Sequence, residues 1–172
     1  MKHKFFVISF VLTMLFATAA NAQDKNNAVN FGTSWGATLI EDLNAAYQAD
    51  PTAKSYDING LIITPDVPGE IVVDVEKKHF RKPVTVSFVA AEDGNATLRI
   101  KVKVPKEKRV LVYCGSKRVK DSKKLDNTLS DTSMMGTYEI SVPGVKAGDV
   151  IRIESLYTNY TSYYSFAWNK AE

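Results

Sequence analysis

The chain has 172 residues, of which 22 are basic and 19 acidic, for a net charge of +3. An apolar fraction of 45% is enough to build a buried core, which excludes an intrinsically disordered chain. Cys114 is the single cysteine, so no disulfide can form within the chain and stability must come from packing.

The N-terminus reads as an export signal. Met1-Lys2-His3-Lys4 is basic, Phe5 to Phe16 is mostly apolar, and Ala20-Asn21-Ala22 has the A-x-A form of a cleavage site. The apolar run is shorter than the roughly 20 residues that a spanning helix needs. The pattern predicts a signal peptide over residues 1–22 and a mature chain, 23–172, that folds as one domain without a membrane span. Its expected place is the periplasm, the cell surface or the medium. Loss of Lys2 and Lys4 leaves 20 basic residues against 19 acidic, a net of +1. That balance, in an exported protein, argues against a nucleic-acid partner.

The mature chain opens on a polar stretch to Thr33. Thr38-Leu39-Ile40-Glu41 has the spacing of a capping box, and Leu39, Leu43, Ala46 and Tyr47 share one helical face. A short helix is expected there, stopped at Asp50-Pro51. Beyond Ile58 the apolar spacing changes to two. Runs at 60–64, 71–75, 84–88, 98–104, 110–114, 137–142 and 150–157 read as strands. Asp93-Gly94 reads as a hairpin turn, and Pro143-Gly144 and Lys146 to Asp149 as further turns. Val110 to Cys114 is apolar on both faces and is expected at the centre of a sheet. With no long helix between strands, the fold class is all-β: an antiparallel β-sandwich, jelly-roll-like, with one short N-terminal helix. Strand patterning leaves jelly-roll and immunoglobulin-like topologies both open.

The stretch Leu156 to Trp168 is dense in aromatics. Tyr164, Phe166 and Trp168 fall two apart and are expected to face the core. Thr158 to Ser162 reads as a hairpin loop with Tyr160 at its tip and Tyr157 and Tyr163 on its flanks. Exposed tyrosine suits binding, because it offers a rigid flat face and a hydroxyl. Tyr157, Asn159, Tyr160 and Tyr163 are therefore the candidate ligand contacts. Lys117, Arg118, Lys120, Lys123 and Lys124 lie close together in a presumed loop. Of these, Lys117, Arg118 and Lys120 are candidate contacts for an acidic polysaccharide. A solvated surface loop explains the same charges.

Catalytic chemistry finds little footing. His79, the one histidine beyond residue 22, falls in a charged turn and reads as a surface residue. Cys114 reads as a small buried hydrophobe. A structural zinc site needs about four Cys or His ligands. No cofactor is expected; calcium held by Asp93, Asn95 and Asp149 is the one metal left open.

Asn59-Gly60-Leu61-Ile62-Ile63, Arg109-Val110-Leu111-Val112-Tyr113 and Gly148-Asp149-Val150-Ile151, followed by the tyrosine-rich terminal strand, carry a resemblance. The chain resembles small secreted β-jelly-roll domains attached to pectate lyases and related polysaccharide-degrading proteins of Gram-negative bacteria. That resemblance implies a carbohydrate-binding jelly roll and assigns no individual residue. The expected function is a secreted, non-catalytic module that binds a polysaccharide or cell-surface glycan. The alternative is a periplasmic or cell-surface domain that meets a protein partner; a polysaccharide-active enzyme ranks last.

Overall fold

The computed structural model describes residues 27–82, 84–105, 110–119, 122–129, 133–155 and 160–172; at 105, 122–129 and 133–134 it describes the backbone alone. The export signal expected over 1–22 lies outside these residues.

In chain order the elements are β1 (Thr33–Trp35), α1 (Leu39–Ala49), β2 (Tyr56–Ile58), β3 (Leu61–Pro65), β4 (Val72–Asp74), β5 (His79–Arg81) and β6 (Val84–Val89). There follow β7 (Gly94–Pro105), β8 (Val110–Cys114), β9 (Lys117–Arg118), β10 (Ser122–Leu129), β11 (Ser133–Val145), β12 (Val150–Ser155) and β13 (Ser162–Lys170). They form two sheets. One runs β10-β11-β7-β13-β5-β4, with β1 added on β13; the other runs β2-β3-β6-β12-β8-β9. All strand pairs in both sheets are antiparallel.

The sheets close on one another through the residues that alternation predicts. Leu98, Ile100, Val102 and Val104 of β7 are fully buried, as are Val86 and Phe88 of β6 and Ile151 and Ile153 of β12. Phe88 meets Trp168 of the opposite sheet edge-on, ring centres 5.0 Å apart. Burial of each such side chain stabilises by about 1.5–3 kcal/mol. The chain is thus an all-β sandwich.

α1 lies where the three-and-four spacing predicts and buries Leu39, Ile40 and Leu43. It packs beside β2 and β4. Its capping box does not form: the Thr38 side chain makes no cap hydrogen bond. Glu41 instead pairs with Lys78, an ion pair from the helix to the β4–β5 turn.

Several turn expectations are corrected. Asp93-Gly94 joins β6 of one sheet to β7 of the other, so it is a crossover and not a hairpin. A D-G dipeptide supplies a reversal; the following strand's apolar face decides which sheet it joins. Pro143-Gly144 lies inside β11, where the pairing with β7 shifts between Val142 and Val145. It is a β-bulge, with Gly144 at φ 68°. A tight two-residue hairpin is at Asn59-Gly60, joining β2 to β3. Both turn residues have positive φ, 51° and 83°, as a type I′ turn requires. β8 is not central: among the described residues the two-residue β9 alone lies outside it, and Leu111 and Tyr113 are half-buried.

Candidate functional site

The structure separates the predicted contacts. Tyr157 and Asn159, like Lys120, lie outside the described residues. Tyr160 is 74% exposed. The next residue, Thr161, is fully buried, and its Oγ1 lies 2.7 Å from Ser155 Oγ, also buried. These hydroxyls tie the end of β12 to the start of β13 and pin the base of the loop that carries Tyr160.

Tyr163 does not flank an exposed loop. It sits within β13, 1% exposed, stacked on Phe80 at 5.4 Å and Phe166 at 5.7 Å. The cause is a β-bulge. Tyr163 pairs with Val102 and Ser165 with Lys101, which leaves Tyr164 as the extra residue. The bulge brings Tyr163 into phase with Phe166 and Trp168 and leaves Tyr164 half-buried, the reverse of the expected assignment. Burial raises the Tyr163 phenol well above its ordinary range, and among the described residues its hydroxyl has no hydrogen-bond partner.

His79 is likewise not a surface residue. It is 8% exposed on β5, its ring meets Tyr164 edge-on at 5.3 Å, and among the described residues its Nδ1 has no hydrogen-bond partner. Burial holds its pKa below 6.5; Asp74 opposes this, while Arg81, Lys77 and Lys103 add to it.

Lys117 and Arg118 are exposed, on the edge strand β9 rather than in a loop. The basic run divides between the sheets, because Lys123 and Lys124 belong to β10 at an edge of the other one. Lys117 and Arg118 line an open groove of about 890 Å³ between the β8–β9 turn and the β11 bulge, with Ser116, Ser141, Lys146 and Asp149. That volume falls in the range of ligand pockets. Cys114 is on the groove wall. Burial, with the Asp149 carboxylate 3.4 Å away, pushes its thiol up to about 11.

The groove and Tyr160 are at opposite ends of β12. Ile151 pairs with Cys114 and Ser155 with Val110. At about 3.3 Å per residue, the six residues of β12 set the two ends roughly 17 Å apart. One compact ligand cannot touch both.

Asp93, Asn95 and Asp149, the calcium candidates, do converge on one short segment, residues 144–147, which joins the end of β11 to the turn after it. Their oxygens accept from that segment. Asp93 Oδ1 takes the Ala147 N–H at 2.8 Å and Oδ2 the Lys146 ammonium at 2.9 Å. Asn95 Oδ1 takes the Gly144 N–H at 3.0 Å and Asp149 Oδ2 the Lys146 N–H at 2.8 Å. Each therefore has a structural task without a cation. Among the described residues no three His, Cys, Asp or Glu side chains gather as a metal site. Among the same residues no helix is long and apolar enough to cross a membrane.

Local pattern missed Tyr113 and Arg152. The Arg152 guanidinium lies 4.6 Å from the Tyr113 ring centre, and its Nε lies 2.7 Å from Glu154 Oε1. The signal available was parity: both are half-buried and alternate with inward residues on their strands. Their proximity required the β8–β12 register, which is non-local.

No family model matches the chain, and no curated protein matches it. Among solved structures, a CBM35 from Paenibacillus barcinonensis is similar over 81% of this chain and 100% of its own, at 11% identity and TM-score 0.44. A ruminal GH26 endo-beta-1,4-mannanase is similar over 84% of this chain and 27% of its own, at 12% identity and TM-score 0.39. A beta-glucosidase from Kluyveromyces marxianus in complex with glucose follows, over 59% of this chain and 12% of its own, at 17% identity and TM-score 0.34. At these scores the likenesses add nothing to what the strand order already establishes about the sandwich.

Proposed function

We propose that this chain is an exported, non-catalytic β-sandwich module that binds a glycan through the loop between β12 and β13. One observation carries the reading: Tyr160 stands 74% exposed directly beside a buried, hydrogen-bonded anchor. An aromatic held out in water by a rigid base is suited to stack on the C–H face of a sugar ring at little entropic cost. Tyr157 and Asn159 are proposed to complete the contact.

A binding role fits the two side chains best suited to catalysis. His79 is enclosed beside Tyr164, and burial pushes the Cys114 thiol up to about 11. The test is a glycan array probed with the purified protein and with Tyr160→Ala. Binding to a defined glycan that the folded variant loses supports the proposal; a folded protein that binds no glycan overturns it.

A further inference from the structure

β8 and β9 carry Tyr113, Lys117 and Arg118. Tyr113 pairs with Arg118 on one side and with Arg152 on the other. Paired positions share a sheet face. The inward set is Val112, Ile151 and Ile153, all buried. Arg152, Tyr113 and Arg118 therefore form one row across the outer face, with the Arg152 guanidinium 4.6 Å from the Tyr113 ring centre. Lys117 has the opposite parity, pairs with Cys114, and lines the groove together with Arg118. A basic strip thus runs from the groove, over the edge of the sheet, to the Arg152–Tyr113 stack.

The charges on this strip are unequally matched. Lys146 has Asp93 at 2.9 Å, and Arg152 has Glu154 at 2.7 Å. Asp149, the acid of the groove, turns Oδ2 to the Lys146 N–H and the Cys114 thiol. Among the described residues neither Lys117 nor Arg118 has an ion-pair partner, and both are exposed. Two adjacent cations with no ion-pair partner among the described residues, the hydroxyls of Ser116 and Ser141 in the groove, and the Tyr113 ring beside it are together complementary to a sugar chain that carries acid groups. An arginine fork matches a carboxylate in two hydrogen bonds, and the ring and hydroxyls supply contacts that bare charge attraction lacks. Charge on an edge strand also deters strand pairing, but that role requires neither the groove nor Tyr113.

We propose that this strip is a second glycan site, separate from Tyr160, which takes an anionic, uronate-bearing polysaccharide. It rests on the reading of the chain as a glycan-binding module only in taking the ligand to be a glycan. Arg118 and Lys117 hold the carboxylates, Tyr113 lies beneath the chain, and Arg152 positions the Tyr113 ring.

The test is titration calorimetry of the protein, purified after expression of the full sequence, with three probes: polygalacturonate, its methyl-esterified form, and poly-glutamate. The variants are Lys117→Gln with Arg118→Gln, and Tyr160→Ala. The expected result is polygalacturonate binding that weakens at least tenfold in the double variant and on esterification, falls as salt rises, and is unchanged by Tyr160→Ala. Four outcomes each overturn the proposal. They are no polygalacturonate binding by the folded protein, equal binding of poly-glutamate, an unaffected double variant, and loss of polygalacturonate binding in Tyr160→Ala. If neutral glycans fail on the array while polygalacturonate still binds, the Tyr160 reading falls and this one stands.

Discussion

Ser155 Oγ and Thr161 Oγ1 lie 2.7 Å apart, both out of water, across the base of the loop that presents Tyr160. Replacing Thr161 with Val removes one hydroxyl and leaves its shape. The expected cost is about 1–3 kcal/mol of stability, because a buried hydroxyl loses a partner. Glycan affinity is expected to fall with it, since the tyrosine loses its fixed base. Chemical denaturation and a binding titration on the same variant check both effects.

Tyr163 is expected to give the opposite sign. Its hydroxyl is buried without a hydrogen bond to any described residue. Tyr163→Phe removes the desolvated oxygen and keeps the stacking on Phe80 and Phe166. Stability is expected to rise by about 1 kcal/mol, which at this size is a Tm shift of roughly 2–4 °C. A lower Tm would show that the hydroxyl has a partner.

His79 sets a pH dependence. Burial lowers its folded pKa below 6.5, so the unfolded chain takes up a proton that the folded chain resists. Below about pH 6.5 the unfolded state therefore binds more protons, and stability falls as pH falls. Glu41, Asp74 and Asp93 have lowered pKa values too, but their loss of stability begins only near the ordinary carboxylate range. Comparing Tm at about pH 7.5 and pH 5.5 isolates the histidine. The drop is expected in the native protein and is expected to be largely absent in His79→Gln.

Much of the sandwich was legible in the sequence. Leu98 to Val104 and Val84 to Phe88 alternate cleanly, and every predicted inward residue of those runs is buried. The α1 face was legible for the same reason, since local spacing decides it. The fate of Tyr163 and Tyr164 was not, because one extra residue in β13 exchanges the two and a bulge leaves no local mark. The Asp93-Gly94 crossover and the Arg152–Tyr113 stack depend on which strand lies beside which, and no window of a few residues holds that information. The Asn59-Gly60 hairpin was available to local reading: the dipeptide, between two apolar runs, is the strongest short-range hairpin signal.

That hairpin supports a prediction about packing. A Cβ on Gly60 would lie 2.9 Å from both Asn27 O and Val29 Cγ2, at φ 83°. Gly60→Ala is expected to destabilise by about 1–3 kcal/mol from the backbone conformation, with the clash adding to it. Thermal unfolding measures the loss.

Cys114 is expected to resist thiol reagents in the folded protein. With its pKa near 11, only about one thiol in a thousand is ionised at pH 8. Labelling is expected to be slow in the native protein and to rise steeply in denaturant. Fast labelling of the native protein would contradict the packing described around β8.

The most direct test of Tyr160 as a sugar contact is a calorimetric titration of the best neutral glycan from the array into the native protein and into Tyr160→Ala, each shown to be folded. An affinity loss of at least tenfold, about 1.4 kcal/mol, is expected in the variant. Equal affinities in the two proteins would contradict it, and would remove the β12–β13 loop from the binding surface.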